Sequence, residues 1–232
     1  MTVIPGLTST RKELIGPFLE DMLRLRVTTV ALFPTCLDKA ERAGLYRELE
    51  RIEGLRVPHV HLRADCAEGE AEYLAGRFGT EAFNIHPRAS THPYGSASAH
   101  LASRLFVENV DVAPEAAELA VLGGLCPDFS HLENAGLQGR SEYVRSVEAA
   151  LDRFPVGCCH LSAIRVGDHN AWSGEWDHHN FKALSDLDYL AKYRSRMTCR
   201  WGSLELENSL EDQLGAVGYL GKLLGEAAGS PK

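Results

Sequence analysis

The sequence predicts a single α/β domain of the (β/α)8 barrel class, and three observations lead there. Eight short apolar runs alternate with amphipathic or capped stretches along 232 residues. The connections between them are short. Residues able to bind a metal recur in or at the end of successive strand-like runs, which is where a parallel barrel assembles its active site. A doubly wound open sheet is the rival architecture, disfavoured by the count of runs and by the lack of a Gly-rich phosphate turn. No domain boundary or low-complexity insert interrupts residues 1–232, and the tail over 225–232 is expected to fray.

The elements follow in order. Val3 to Leu7 is the first apolar run, and Thr8 to Thr10 is placed to cap a helix bearing Leu14, Phe18, Met22 and Leu25. Val27 to Phe33 reads as a buried strand, and Leu37 to Ile52 as a helix stopped by Gly54. Val57 to Leu62, Ala82 to His86 and Leu105 to Asn109 are the next strands, with helices over Ala67 to Phe78 and Pro114 to Leu119. The Gly/Ser/Ala segment from Ser90 to Ser103 has weak patterning, and its best helical part is Ala97 to Leu105. Leu122 to Cys126 is the sixth strand, followed by a helix from Ser141, its expected N-cap, to Phe154. Gly157 to Ile164 is the seventh strand. A polar loop from Asp168 to Phe181 leads to a helix over Leu184 to Tyr193. Gly202 to Leu206 is the eighth strand, and Leu210 to Leu224 the last helix, capped by Ser209.

Composition narrows the class. A hydrophobic content of 44% with 24% charged residues is that of a soluble globular protein. The formal charge of −8 argues against tight binding to a phosphate backbone, so nucleic acid is not the expected partner. No run reaches membrane-spanning length, and no signal peptide is visible. Six cysteines without CxxC spacing read as reduced thiols in a cytoplasmic protein.

The chemistry lies in the strand ends. Glu108 closes an apolar strand and precedes Asn109; alone it would be a solvated strand end. Asp128 and His131 sit in Cys126-Pro-Asp-Phe-Ser-His131, a spacing that lets a carboxylate and an imidazole share one site, although Asp128 could equally cap a turn after Pro127. His160 lies inside a small apolar run, where a lone histidine is more often a hydrogen-bonded core residue. Cys158 should share its face, deeper in the barrel, and Cys159 should face the helices. Glu205 and Glu207 project to one face of the eighth strand, and two carboxylates there need a cation or donors. One of them should bind metal, with Glu205 preferred. His59 and His61 share a face of the third strand, His61 nearer the mouth, and His86 is its equivalent on the fourth. Asp177, His178 and His179 add further donors in the loop after strand seven, with a solvated histidine pair as the bland alternative.

These residues resemble the xylose isomerase-like TIM barrels, a superfamily of sugar isomerases, epimerases and endonuclease IV-type apurinic-site nucleases. The resemblance spans the chain as architecture, but its specific part is confined to the strand ends. In the isomerase and epimerase branch one divalent metal is held by Glu, Asp, His and Glu from strands five to eight. That implies Glu108, Asp128, His160 and Glu205 or Glu207 as ligands here. It also implies His131 as a substrate contact. The endonuclease IV branch adds ligands matching His61, His86, Asp177 and His179, and its Leu-Glu-Thr-Pro position would favour Glu207. The DNA-contacting loops of that branch are not recognisable.

The resulting expectation is a divalent-metal-dependent isomerase or epimerase of a sugar or sugar phosphate, working through a metal-stabilised enediolate. Glu108 and Glu205 or Glu207 would be its base and acid, and His61, His86, His131 and Arg165 its substrate contacts. Three carboxylates and one imidazole suit Mn2+ first, with Mg2+, Co2+ or Zn2+ as alternatives. A multinuclear zinc phosphodiesterase of the endonuclease IV type is the second expectation, with Asp177 and His179 as additional ligands. A barrel that has lost its chemistry and serves in binding is the third. The partner is a small molecule, a carbohydrate by this reading, and homo-oligomerisation is compatible with the class.

Overall fold

Parallel strands dominate the chain. The computed structural model describes residues 1–67, 69–93, 99–170 and 174–225 and gives a mixed α/β protein. Its strands are β1 (Thr2–Ile4), β2 (Gly6–Thr8), β3 (Ala31–Phe33), β4 (His59–His61), β5 (Ala82–Ile85), β6 (Leu105–Glu108), β7 (Gly124–Cys126), β8 (Cys158–Leu161), β9 (Ala163–Ile164), β10 (Asp177–His178) and β11 (Trp201–Leu204). Its α-helices are α1 (Ile15–Leu25), α2 (Lys39–Leu49), α3 (Glu70–Phe78), α4 (Ala116–Leu119), α5 (Phe129–Leu137), α6 (Ser141–Arg153) and α7 (Leu210–Leu223).

A six-stranded parallel sheet runs in the order β2-β3-β4-β5-β6-β7, and a three-stranded parallel sheet in the order β1-β11-β8. Pro5 separates β1 from β2 and brings no N–H to either ladder. Between β7 and β8, Leu125 N donates to Pro155 O at 2.8 Å, Gly157 N to Leu125 O at 3.1 Å and His160 N to Pro127 O at 3.0 Å. This approach requires glycine: a β-carbon at Gly157 would stand 2.0 Å from the Phe106 ring. β9 and β10 form a separate antiparallel pair beyond the end of β8.

Helices cover the outer sheet faces through two apolar clusters. One gathers Met22, Leu32, Leu49, Val60, Leu74 and Phe83; the other gathers Leu132, Val147, Leu161, Leu187, Leu204 and Leu220. Burying each such side chain contributes roughly 1.5–3 kcal/mol. Cys159 belongs to the second cluster, on the helix side of β8, whereas Cys158 packs with Ala82 and Cys126, as the alternation of strand side chains requires. Among the described residues no helix is long and apolar enough to cross a membrane.

Several local expectations change. Thr8 to Thr10 does not cap α1, which follows a 3-10 turn at Lys12–Leu14; Ser9 instead donates to Phe33 O, and Thr10 turns to Glu207. Helix α2 begins on a capping box between Asp38 and Glu41 and ends at Leu49, short of Gly54. Ser141 is the first helical residue of α6 rather than its cap, and donates to Gly139 O. The stretch over Leu184–Arg196 is a 3-10 helix. Helix α5 had no counterpart in the sequence reading. Residues 94–98 of the weakly patterned segment and residues 226–232 of the tail lie outside the described residues.

Candidate metal centre

Four acidic or imidazole side chains meet where β6, β7, β8 and β11 end. Donor atoms of Glu108, Asp128, His160 and Glu205 all lie within 4.8 Å of one another, and all four residues are buried. Nδ1 of His160 faces Oε1 of Glu108 at 3.4 Å, Oδ2 of Asp128 at 3.8 Å and Oε2 of Glu205 at 3.0 Å. None of these approaches is a well-aligned hydrogen bond, and Nδ1 of His160 and Oδ2 of Asp128 are left without a partner. Buried polar atoms are normally satisfied. Three carboxylates around one imidazole leave excess negative charge in a buried space, so the residues present fit a cation.

Each member is delivered by local structure. Glu108 is the last residue of β6, with Leu105 and Val107 buried in the core before it. Asp128 is the N-cap of α5: its Oδ1 accepts from Ser130 N at 2.7 Å, Ser130 Oγ at 2.6 Å and His131 N at 3.0 Å. Oδ2 is thereby left facing His160. Oδ1 thus realises the cap reading of Asp128, and Oδ2 is the oxygen that could hold a cation. Asn109 fixes this loop, accepting from Asp128 N at 2.9 Å and donating to Asp128 O at 3.0 Å. His160 is fully buried, with the Phe33 ring edge-on at 5.0 Å. Glu205 continues the ladder one residue past β11, its N–H donating to Leu161 O at 3.1 Å.

A second donor group adjoins the first. His61, His86 and Glu108 also place donor atoms within 4.8 Å of one another, and the His61 and His86 rings stand 4.7 Å apart. Oε2 of Glu108 lies 3.8 Å from Nδ1 of His61, another buried atom without a partner. Farther out, His131 Nδ1 pairs with Asp177 Oδ2 at 2.9 Å, and His179 Nδ1 lies 4.0 Å from Glu205 Oε1.

Electrostatics follow from this crowding. Burial pushes His61 down to about 3, against the pull of Glu108, so its imidazole is neutral and available as a donor. Burial disfavours charge on Glu205 too, but His179 and His160 outweigh it and hold the carboxyl at about 2. Glu108 is likewise held well below its ordinary value, burial being overcome by His160 and His61. Burial opposes charge on His131, yet Asp128 and Asp177 carry it up to about 10.

Other expected residues fall apart from the quartet. The strand geometry ends at Leu204, so the two-residue period does not extend to Glu207; its Oε1 instead accepts from Thr10 Oγ1 at 2.7 Å. Arg165 is held in its own loop by His178 and by Asp168, 3.4 Å from its Nε. His178 is tied to Asp168 O at 2.8 Å. Asn84 and Asn109, which the sequence reading did not assign, hold Glu108 and the Asp128 backbone. For Asn84 the available signal was a polar residue inside the apolar run Ala82 to Ile85.

No family model matches the chain, and no curated protein matches it. Among solved structures it is similar to one described as an uncharacterized B. cereus protein, at 10% identity and a TM-score of 0.40. That likeness covers 94% of this chain and 64% of the other, so the chain spans less than two thirds of that protein's length.

Proposed function

We propose that this chain is a metal-dependent enzyme on a closed (β/α)8 barrel, with a centre for two divalent ions that share Glu108, and that it hydrolyses a small phosphate ester. Closure is supported by β1 and β2 being one strand divided at Pro5, and by the hydrogen bonds from Leu125, Gly157 and His160 that join the two sheets. The observation carrying the functional reading is the division of the Glu108 carboxylate. Oε1 turns to His160 and Oε2 to His61, so one side chain serves two donor groups. His61, His86 and Glu108 supply two nitrogens and an oxygen, a set suited to zinc or another borderline ion, beside the oxygen-rich quartet.

Divalent ions bound there would polarise an ester oxygen and lower the pKa of a water molecule. The protein's own part is placement. Asp128 and Glu205 present carboxylate oxygens beside Glu108 at His160 Nδ1, while Phe33 and the buried His61 keep bulk water from the floor. His131, kept protonated between Asp128 and Asp177 and part-exposed at the mouth, offers positive charge to a phosphate oxygen. The overall charge of −8 favours a small substrate over a nucleic acid.

Sugar isomerisation is the second reading, favoured by the quartet being a complete single-ion site. Glu108 and Glu205 approach His160 Nδ1 separately, at 3.4 Å and 3.0 Å, and would move a proton between neighbouring carbons. Elemental analysis of protein purified without chelator separates the two. Two or more equivalents, falling by one in His86→Ala, together with turnover of phosphate esters, support the hydrolase. One equivalent, unchanged in His86→Ala, with aldose–ketose interconversion supports the isomerase. Protein that takes up no metal defeats both.

A further inference from the structure

Beside Glu108, and packed against His160 through the His59 ring at 5.4 Å, lie three fully buried polar residues from three different strands. Ser203 Oγ is 2.7 Å from His59 Nδ1, His59 Nε2 is 3.0 Å from Asn84 Oδ1, and Asn84 Nδ2 donates to Glu108 Oε2 at 2.6 Å. Ser203, His59 and Asn84 each have 0% exposure. We propose that Ser203, His59 and Asn84 form a directed hydrogen-bond chain that positions the Glu108 carboxylate to receive a cation. The inference rests on the metal-centre reading above.

The chain has one consistent direction. A carboxylate only accepts, so Asn84 must present its amide NH2 to Glu108. Its carbonyl oxygen then faces His59, which must carry its proton on Nε2. In the neutral ring Nδ1 of His59 is then an acceptor, and the Ser203 hydroxyl donates to it. With a neutral His59 ring, reversing any one bond would leave two donors or two acceptors facing each other somewhere along the line. The anchored oxygen is the one turned towards His61, so the chain fixes which way Glu108 divides between its two donor groups. His59, Asn84 and Ser203 are positioning residues in this scheme, acting only through Glu108. Removing such outer partners of a metal ligand commonly weakens metal affinity about 10–100-fold.

The first test is 15N NMR of metal-free wild-type protein near neutral pH. The expected spectrum shows His59 protonated on Nε2 and bare at Nδ1; a proton on Nδ1, or on both nitrogens, overturns the direction. The second is Zn2+ affinity by chelator competition. His59→Phe keeps the ring shape without the bonds and should bind about 10–100-fold more weakly. His59→Gln can still donate to Asn84 and accept from Ser203, and should recover most of that loss. Asn84→Asp, which cannot donate while ionised, should match His59→Phe and serves if that variant fails to fold. Equal Zn2+ affinity in His59→Phe, Asn84→Asp and wild type would falsify the positioning role. Wild-type protein that binds no Zn2+ removes the centre itself, an outcome the metal-free tautomer measurement keeps distinct from an error in the hydrogen-bond chain.

Discussion

Two buried charged clusters, one around Arg42 and one around His160, are built by opposite rules. Arg42 on α2 is 1% exposed, and all five of its guanidinium N–H groups are used. It donates to both oxygens of Glu70, at 2.7 and 3.0 Å, to Asp65 Oδ1 at 2.9 Å, and to the carbonyls of Leu37 and Asp65. Tyr46 and the Ala67 N–H complete Glu70. Nothing more is needed there. Around His160, three carboxylates meet one imidazole, and the atoms nearest the centre are those without partners. A satisfied cluster locks α2 to the start of α3; an unsatisfied one keeps donor atoms that could hold a cation.

The sharpest contrast should come from breaking the satisfied cluster. Arg42→Met leaves Glu70 buried and unpaired, and should cost about 3–5 kcal/mol by urea denaturation. A loss under about 1 kcal/mol would show that water reaches Glu70 and that the cluster is not closed.

For the open cluster the effect runs through metal instead. Zn2+ or Mn2+ at a hundredfold excess over Kd should stabilise wild type by about 2.7 kcal/mol, raising Tm by roughly 5–11 °C in a chain of this size. Glu205→Gln should lose most of that rise while its metal-free Tm stays near wild type. An equal rise in both proteins would move the binding site elsewhere.

Acid should distinguish the clusters next. Burial pushes Glu70 up, but Arg42, Ala67 N–H and Tyr46 prevail and hold its carboxyl below the ordinary 4.5. A lowered folded-state value contributes stability in full above 4.5, and that contribution drains away as pH falls through the folded value. Glu70→Gln should therefore flatten the acid limb of the stability curve. An unchanged acid limb would remove Glu70 from the titration.

The smallest expected effect lies beside the centre. Asn109→Ala removes the bonds to both backbone groups of Asp128 and should cost about 1–3 kcal/mol. It should also weaken metal binding about tenfold, read by chelator competition. Unchanged affinity would mean that α5 alone holds Asp128 in place.

The same contrast explains what could be read from residues alone. Glu108, Asp128 and His160 were legible because each ends or interrupts an apolar run, and a strand end is a local property. Glu205 and Glu207 could not be separated, because the period of two treats them alike until the chain leaves the strand at Leu204. Helix α5 was hidden by its own first residues, which read as a ligand motif rather than a cap and a helical turn. The Arg42 cluster was invisible for a different reason: its partners lie on the next helix and the loop before it, and nothing in the α2 sequence marks that arginine from its exposed neighbours. The sequence favours His61 over His59 as nearer the mouth and gives His59 no role, since its partner Ser203 is brought to it only by tertiary folding.

Asp128 carries one further consequence, through its divided carboxylate. Because Oδ1 holds the N–H groups of Ser130 and His131, those two amides are reporters of whatever happens at Oδ2. Hydrogen exchange at the first turn of α5 should slow when a cation settles at the centre, giving a backbone signal of occupancy that needs no substrate. The same division separates the two duties chemically: Asp128→Ser could keep a capping oxygen for the helix while offering no carboxylate to the centre. A protein of that kind would hold the scaffold with its ligand set incomplete, and would serve as the blank against which any catalytic trace is measured.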